Sequence, residues 1–563
     1  MSICFSLPPI PPVPEPLSQG SVPLGDAESF TEIRLDLPIT PGPFKPTWES
    51  IERHYPGVPD WFGESKFGIW VHFGPQSAGE SGDWYAQRMY VPGTTAYQTH
   101  CNRYGHPSRY GYKELLRDWN PTGLDPQRLV TIYRQAGADF LLIQAVHHDQ
   151  FDLWDSRYQP WNSVNLGPKR DLVGEWAKAC RESGMRFGLT FHHEYSWWWW
   201  QTAFDADSQG PLAGVAYDGH LTLRDGIGQW WEGLDPRLLY GIDLREYQSV
   251  AEHARRGFCA PKSGIFTRHI EYAKWYASWW ALRIMDAVEK YDPDFIYTDG
   301  NDQQPFSGSR TGTGIKADAI QRVIADYYNR TLTRRQKLDV FSIVKFRRPT
   351  RGTVTTQEHG LPREIKQDQP WIAEAPIGDW FYAPGFDYSP KIMVRYLIEA
   401  VSRGGNTAIC VPLRPDGTLD PDCYDMLQHV GQWIHQNRPV IHNVLPWKVL
   451  GEGQTDEQGR LLMIPGGKLS RLHAQTPFNT TDFRFVQGKD ERLYAICLAV
   501  PHEGQQLTIR SLGTSSPHLL NPISQVNILG TPVKPSWRQT PEGLIITWPA
   551  GVPSTTAVTF EIR

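Results

Sequence analysis

The sequence predicts an α/β protein in which a (β/α)8-like barrel is followed by a C-terminal antiparallel β-sandwich. From about Phe44, short apolar runs alternate with amphipathic helical segments, which is typical of a parallel sheet with helical crossovers. After about Pro446 the pattern changes to short β-prone segments separated by Gly, Pro, Asn and Ser, without amphipathic helices, which is typical of a sandwich. The 563 residues are enough for both units.

These patterns divide the chain into three regions. Residues 1–44 are predicted to be a Pro-rich N-terminal arm, 45–445 the barrel and 446–563 the sandwich. Within the barrel, a Gly- and Asp-rich insertion at about 201–265 follows a predicted strand. We therefore expect the insertion on the face of the barrel where functional side chains gather.

The barrel elements are predicted from their ends as well as from their periodicity. One helix starts after Asp125, an N-cap residue with Pro126 in the first helical position. The next helix is capped by Asp171 and ended by Gly184, and a long helix is expected over about 270–290. Strands are predicted at 67–74, 140–146, 187–191 and 295–298 in the barrel, and at 493–500, 506–509 and 544–548 in the sandwich.

Composition excludes several classes of partner. The net charge of -5 and the isoelectric point near 6.4 argue against nucleic-acid binding. No basic run is dense enough for an anionic membrane surface, and no apolar run reaches the roughly 18 residues of a membrane span. The opening MSICFSLPPIPPVPEP lacks the pattern of a signal peptide, so a cytoplasmic location is the default expectation. The seven cysteines match no zinc spacing.

The segment Y-D-P-D-F-I-Y-T-D-G at 291–300 is the most informative stretch of the chain. Its β-prone run ends at Asp299, which places an acidic side chain at the C-terminal mouth of a buried strand. Catalytic side chains of barrels lie at that end, and a carboxylate there can act as a nucleophile or a base. The structural alternative is an Asp that caps a helix or shapes a turn.

Polar side chains also stand at the ends of other predicted strands. His72 ends the first strand, His147 and His148 follow the second, and His192 and His193 follow the third. They are suited to binding sugar hydroxyls or a metal ion. Neighbouring histidines within a strand point to opposite faces, so each pair is expected to supply one inward ligand easily. We therefore rank sugar binding above a metal site.

Six segments, in order along the chain, carry a resemblance to a known family. They are W-F-G-E-S-K-F-G-I-W-V-H-F-G, G-D-W-Y-A-Q-R-M-Y, G-A-D-F-L-L-I-Q-A-V-H-H-D-Q-F-D-L-W-D-S, R-D-L-V-G-E-W-A-K-A-C-R-E-S-G-M-R-F-G-L, Y-D-P-D-F-I-Y-T-D-G and A-V-S-R-G-G-N-T-A-I-C-V-P-L. Together they resemble the α-L-fucosidases of glycoside hydrolase family 29, from about Trp61 through the C-terminal region.

The resemblance implies an exo-acting, retaining hydrolase that releases terminal α-L-fucose from an oligosaccharide or glycoconjugate by double displacement, with no cofactor and no metal. It makes Asp299 the nucleophile. The residues that it implies in sugar binding are His72, Asp83, Trp84, His147, His148, His192 and Trp380.

Three glutamates after the predicted nucleophile are candidates for the general acid/base: Glu358, Glu364 and Glu374. Glu358 lies in T-V-T-T-Q-E-H-G-L-P, which resembles the acid segment of the family, and is preferred. Glu374 lies in P-W-I-A-E-A-P-I-G-D-W-F-Y, which resembles the segment that brings an aromatic side chain, here Trp380, to the sugar.

The chain departs from the family pattern at two places. Asp83 replaces the usual Glu, and the usual Tyr-Tyr-Ser is replaced by Thr190, Phe191 and His192. His192, His193 or the tryptophans at 197–200 are candidates to replace the missing tyrosine hydroxyl.

These departures leave an α-L-galactosidase-type activity on the same scaffold open. Two further alternatives are a non-catalytic carbohydrate-binding protein and a metal hydrolase that uses the His-rich strand ends. Lys345, Arg347 and Arg348 are candidates to approach the site, and no role is assigned to them.

Overall fold

The structure, a computed structural model, describes residues 7–14, 30–244, 270–300, 306, 314–345, 351–358, 360–472, 477–519, 521–554 and 556–563. The central sheet of these residues is parallel and consists of Phe67–Val71 (β1), Phe140–Val146 (β2), Arg186–Phe191 (β3), Phe295–Thr298 (β4), Phe341–Val344 (β5), Thr355–Gln357 (β6), Trp371–Pro376 (β7) and Asn406–Cys410 (β8). Strand β8 pairs with β1, and a bridge between Ile343 and Val354 joins the edges at β5 and β6. The sheet thus closes into a barrel, which confirms the predicted fold class.

Helices follow six of the eight barrel strands. They are Pro126–Gln135 (α1), Leu172–Ser183 (α2), Ile270–Tyr291 (α3), Ala319–Arg335 (α4), Pro390–Val401 (α5) and Pro421–Gln436 (α6). The predicted caps are confirmed: Asp125 and Asp171 each accept a backbone N–H of the first turn, and Gly184 ends α2 in the left-handed conformation. Between β5 and β6, and between β6 and β7, the described residues contain no helix.

Shorter helices surround the barrel. They are Trp48–His54, Asp60–Glu64, Tyr85–Arg88, Thr95–Arg103, Tyr112–Asp118, Ser196–Trp199 and Arg237–Tyr240. The predicted insertion is described only as far as residue 244, where it forms short helical segments. Residues 245–265 lie outside the described residues. Among the helices described, none is long and apolar enough to span a bilayer.

Aromatic rings close the end of the barrel where the strands begin. The ring of Phe140 lies over Gly68 on the neighbouring strand, and a Cβ atom there would come within 2.1 Å of it. Phe62 packs on Phe341 with ring centroids 4.4 Å apart, and Phe295 stacks on Phe341 at 4.9 Å. Because these rings fill the N-terminal end, a ligand site is left to the opposite mouth.

The C-terminal region is an antiparallel sandwich with a core of its own. Its strands are Val444–Glu452 (β9), Phe483–Gly488 (β10), Leu493–Cys497 (β11), Gln506–Ile509 (β12), Val526–Ile528 (β13), Ser536–Thr540 (β14), Gly543–Thr547 (β15) and Val558–Ile562 (β16). One sheet has the order β9-β10-β11-β16-β13 and the other β12-β15-β14, and side chains of both share one buried cluster. A short α-helix, Leu469–Leu472, and a short 3-10 helix, Arg510–Leu512, lie between the strands.

The N-terminal residues and the sandwich both pack against the barrel. Carbonyl groups of Pro8 and Pro11 accept hydrogen bonds from Tyr158 and Trp275, and strand Phe30–Ile33, inside the predicted arm, pairs with Gly314–Ala317. On the other side, Glu399 of α5 forms buried ion pairs with Arg403 and with Arg484 of β10. A buried charge needs such partners, so these contacts hold the sandwich in one orientation.

Candidate active site

The carboxyl ends of the barrel strands bring the predicted site residues together. His72 follows β1, His147 and His148 follow β2, His192 follows β3, and Asp299 follows β4. The amide of Asp299 donates to the carbonyl of Phe191 at 2.9 Å, so the strand pairing continues up to the carboxylate. Residues far apart in the chain thus share one mouth because neighbouring parallel strands end there.

A cavity of about 260 Å3 lies at this mouth. Its walls include all the residues predicted to catalyse or bind sugar: His72, Asp83, Trp84, His147, His148, His192, Asp299, Glu358 and Trp380. They also include side chains without a predicted sugar-binding or preferred catalytic role: Trp70, Arg88, Tyr195, Tyr297, Lys345, Glu374, Asp379 and Lys468. Glu364, by contrast, is exposed and does not line the cavity.

Asp299 is held as a carboxylate by basic neighbours. Its Oδ1 lies 2.8 Å from Nζ of Lys345, and its Oδ2 accepts a hydrogen bond from Nδ1 of His192 at 3.2 Å. Nε2 of His148 is 3.7 Å from the same Oδ2. Burial alone would raise the pKa of Asp299, but Lys345 and His192 outweigh it and hold that pKa well below its usual range. The group is therefore ionised and available for nucleophilic attack.

Lys345 bridges the two predicted catalytic carboxyl groups. Its Nζ is 2.9 Å from Oε2 of Glu358 and 2.8 Å from Oδ1 of Asp299. Two oxygens that contact the same nitrogen at these distances are at most about 5.7 Å apart. Burial would lower the pKa of Lys345, but Asp299 and Glu358 raise it well above its usual value, so the side chain is a cation.

Sequence reasoning missed this role of Lys345. The residue directly follows β5, so its place after a β-prone F-S-I-V run was the available signal. The other two basic residues considered, Arg347 and Arg348, lie outside the described residues.

The histidines at the mouth are neutral. Burial is the main reason that the pKa of His72, of His147 and of His192 is lowered, and it lowers the pKa of His148 to about 3. Nδ1 of His148 donates to the carbonyl of His192, which turns a lone pair on Nε2 toward Asp299 and the cavity. The rings of His147 and His148 can thus each direct Nε2 to a hydroxyl, as a donor for His147 and as an acceptor for His148.

The expectation that each histidine pair supplies one inward side chain is wrong for the first pair. His147 and His148 both line the cavity, because β2 ends at Val146 and the two residues lie beyond the strict alternation of the strand. For the second pair it holds: His192 lines the cavity, and Nε2 of His193 faces the carbonyl of Trp280 at 3.3 Å.

The same histidines form the candidate metal site. Ligand atoms of His72, His147 and His192 lie within 4.8 Å of one another. Both ring nitrogens of His192, however, are already hydrogen-bonded. The amide of Gln76 donates to Nδ1 of His147 at 2.9 Å, which leaves the proton of the neutral ring on Nε2. A metal would have to displace these partners, whereas the Nε2–H of His147 can donate to a hydroxyl without displacing any, so the cluster fits a hydroxylated ligand better.

Asp83 and Trp84 form a second wall. Trp84 adopts a left-handed backbone conformation with φ of 66°, and its ring meets that of His148 edge-on at 5.4 Å. Oδ1 of Asp83 lies 3.8 Å from Nε2 of His147. Burial, together with the nearby charge of Asp379, raises the pKa of Asp83 to about 8, although a quarter of the side chain remains exposed to the cavity.

Trp380 forms the opposite wall and is positioned by the C-terminal region. Its ring packs at 4.9 Å from that of His72, and its amide donates to Oδ1 of Asp379 at 2.8 Å. Asp379 forms an ion pair with Lys468, a residue from beyond Pro446 that also lines the cavity. The C-terminal region therefore contributes to the wall of the cavity.

An aromatic layer stands behind the second wall. Trp199 lies 5.8 Å from Trp84 and 5.6 Å from His148, and all four tryptophans of 197–200 are buried. None of the four lines the cavity, so they support the site from behind. Tyr195 was not predicted as a site residue, but it lines the cavity, and its ring centroid lies 5.1 Å from that of His148. It thus supplies a tyrosine to the cavity although the chain lacks the Tyr-Tyr-Ser of the family.

Comparisons with solved structures agree with this architecture. A crystal structure of Thermotoga maritima alpha-fucosidase superposes with a TM-score of 0.63 at 23% identity, covering 92% of this chain and 100% of that chain. A structure of the same enzyme in complex with fucose gives the same TM-score of 0.63 and identity of 23%. At this identity the likeness establishes the fold.

Sequence comparisons identify the family to which the chain belongs. Tissue alpha-L-fucosidase of Rattus norvegicus is 23% identical over 532 residues, 92% of this chain and 91% of the relative. Tissue alpha-L-fucosidase of Homo sapiens is 23% identical over 552 residues, 95% of this chain and 93% of the relative. A profile of the family described as Alpha-L-fucosidase matches residues 34–439, well over half of the chain. The chain therefore belongs to the alpha-L-fucosidase family of glycoside hydrolases.

Proposed function

We propose that the protein is an exo-acting, retaining hydrolase that releases terminal α-L-fucose from an oligosaccharide or glycoconjugate. The observation that carries the proposal is the pair Asp299 and Glu358, whose oxygens are at most about 5.7 Å apart on either side of Lys345. Retaining glycosidases need two carboxyl groups about 5–5.5 Å apart, and inverting ones need a wider gap for water. The cavity is small, as a site for one terminal sugar should be.

In the first step, Asp299 attacks the anomeric carbon of the fucoside. Its carboxylate forms a C–O bond to that carbon while the glycosidic C–O bond breaks, and Glu358 gives its proton to the departing oxygen. The product is a fucosyl ester of Asp299 and a free alcohol. Lys345 supports this step because it keeps Asp299 ionised before the attack.

In the second step, water replaces the ester. Glu358, now a carboxylate, takes a proton from a water molecule whose oxygen bonds to the anomeric carbon, and the bond to Asp299 breaks. Two inversions at one carbon give net retention, and both side chains return to their starting protonation. No redox cofactor or metal enters this balance.

Neutral side chains of the mouth would hold the sugar hydroxyls. We assign this role to His72, Asp83, Trp84, His147, His148, His192 and Trp380. Hydrogen bonds that shorten as positive charge develops on the ring accelerate the reaction, whereas uniform binding does not. The apolar faces of Trp84 and Trp380 suit the carbon face of a sugar ring.

We also propose that the three predicted regions are the domains of the protein: an arm at 1–44, a catalytic barrel at 45–445 and a sandwich at 446–563. The end of the family match at residue 439 and the separate buried core of the sandwich support the second boundary. Neither a nucleic acid nor a membrane is proposed as a partner.

A panel of aryl glycosides tests the proposed activity. We expect turnover of the aryl α-L-fucoside, weaker turnover of the α-L-galactoside, and none of the β-D-galactoside, because both the pocket and the attack geometry are specific to one anomer. The fucoside rate should not change with a chelator, which serves as the control for a metal hydrolase. Absence of fucoside cleavage by folded protein, or faster cleavage of the α-L-galactoside, would contradict the proposal.

Removal of the Lys345 charge should strongly slow the reaction. In Lys345→Met, Asp299 and Glu358 face each other without the shared cation, so we expect kcat/KM to fall by about a hundredfold. The pKa of Asp299 should rise, and the acid limb of the pH profile should therefore move to higher pH. Lys345→Arg keeps the charge and is the matched control. A methionine variant with wild-type rate and pH profile would rule the role out.

A further inference from the structure

Three side chains form the floor of the cavity: Trp70, Tyr297 and Glu374, here called the floor cluster. The hydroxyl of Tyr297 donates to Oε1 of Glu374 at 3.2 Å, and the rings of Trp70 and Tyr297 meet edge-on at 4.7 Å. All three line the cavity and are at most 1% exposed. The cluster therefore belongs to the site but lies below its polar wall.

Glu374 lies deeper than the reacting pair. Asp299 and Glu358 directly follow the last residues of β4 and β6, whereas Glu374 is inside β7, two residues before its end. It pairs in register with Ala408, also two residues before the end of β8. Glu374 therefore lies one level below the carboxyl groups at the strand ends, deeper in the barrel.

The floor cluster has unused hydrogen-bonding capacity. Oε2 of Glu374 has no hydrogen-bond partner among the residues that the structure describes, and the same is true of Nε1 of Trp70. Buried polar groups are nearly always hydrogen-bonded, because a buried group without a partner destabilises the protein. Both atoms are buried, and both belong to side chains that line the cavity, so a polar group of a ligand in that cavity is the partner that the site can supply.

The protonation of Glu374 decides what kind of partner that is. Burial raises the pKa of Glu374 to about 8, and the charges of Glu358 and Asp299 add to the effect, whereas Lys345 opposes it. The carboxyl group is therefore neutral near pH 7. Because Oε1 accepts the hydrogen bond of Tyr297, Oε2 is the oxygen that can carry the proton and donate it.

We propose that Glu374 is a specificity-determining residue that donates a hydrogen bond from Oε2, as a neutral acid, to a hydroxyl oxygen of the terminal sugar. The inference rests on the proposed function, since it places the sugar in this cavity. It gives Glu374 a role distinct from that of Glu358: Glu374 selects the sugar and transfers no proton in the reaction. Trp70 is the second donor of the same floor subsite.

Binding of sugar analogues tests the proposal on the full-length protein. The dissociation constants of L-fucose and of the analogues that each lack one ring hydroxyl are measured by calorimetry for the wild type, Glu374→Ala and Glu374→Gln. For the wild type, loss of the contacted hydroxyl should weaken binding at least about tenfold. Glu374→Ala should bind L-fucose and the analogue that lacks the contacted hydroxyl equally well, because the side chain that contacts this hydroxyl has been removed. Glu364→Ala, on the surface, is the control.

The glutamine variant adds a readout that does not require the protein to tolerate the empty space that alanine leaves at position 374. Its amide can donate but cannot ionise, so its affinity for L-fucose should fall less than that of the wild type as the pH rises through about 8. The fall that both proteins share comes from Asp83, whose pKa is also about 8. Equal weakening of all analogues by Glu374→Ala, or the same pH dependence in the wild type and Glu374→Gln, would overturn the assignment. If Glu374→Ala does not fold, the glutamine comparison alone decides.

These outcomes are separable from failure of the proposed function. A wild type that neither binds L-fucose nor cleaves its aryl α-glycoside overturns the proposed function and this inference with it. A wild type that does both, while the Glu374 variants discriminate the analogues as the wild type does, overturns the role of Glu374 alone.

Discussion

Asp299→Gly is expected to reduce turnover of an aryl α-L-fucoside by about 10⁴-fold or more while the protein remains folded. The substitution removes the atom that forms the covalent intermediate, and no other group at the mouth can replace it. The fold should persist because Nζ of Lys345 keeps its contact with Oε2 of Glu358 at 2.9 Å. Steady-state kinetics, together with thermal unfolding, measure both effects.

Azide should restore product formation in Asp299→Gly with inverted configuration. The missing side chain leaves room for a small anion beside the anomeric carbon, and one displacement from that side gives the β-fucosyl azide. Asp299→Asn is the matched control: it is equally unable to form the ester, but its amide fills the space and should prevent rescue. Near-normal hydrolysis by the glycine variant, or an α-azide product, would show that Asp299 is not the nucleophile.

Glu358→Ala should slow the cleavage of natural fucosides by about 10²–10⁴-fold and have much less effect on aryl fucosides with good leaving groups. A general acid matters most when the departing oxygen is basic, since a stable phenolate leaves without a proton. Plotting kcat/KM against the pKa of the leaving group should therefore give a steeper slope for the variant than for the wild type.

Azide should also distinguish the role of Glu358. Because an anion needs no general base, it should accelerate breakdown of the fucosyl ester in Glu358→Ala and give the retained α-azide, the opposite product to that of Asp299→Gly. Glu364→Ala and Glu374→Ala are the controls and should form no azide product. If instead Glu374→Ala shows this rescue and Glu358→Ala loses poor and good substrates alike, the acid/base is Glu374.

Much of the barrel could be predicted because its signals are local. Asp171 and Gly184 delimit α2 as expected, since N-caps and left-handed C-caps act through hydrogen bonds within one turn. The strand at 295–298 was predicted with its exact bounds, because an apolar run ended by Asp-Gly needs no distant information. The place of Asp299 at a strand end follows from the same run.

The neighbourhood of Glu358 was harder to predict. Glu358 directly follows strand β6, which has only three residues and no described helix on either side. Neither the length nor the periodicity of this segment therefore predicts a strand. Only the resemblance of T-T-Q-E to a family segment selected this glutamate over Glu364 and Glu374. The exposure of Glu364 and the burial of Glu374 then separate the three candidates by environment.

By itself, the sequence determined the fold class, the strand ends that carry His72, His148 and Asp299, and the family. Only the tertiary structure decided that Lys345 joins the two carboxyl groups and that Lys468, from the C-terminal region, reaches the cavity wall. The reason is physical. Caps and periodicity depend on contacts within a few residues, whereas the distance between side chains on different strands depends on how the barrel closes, and no local pattern encodes that.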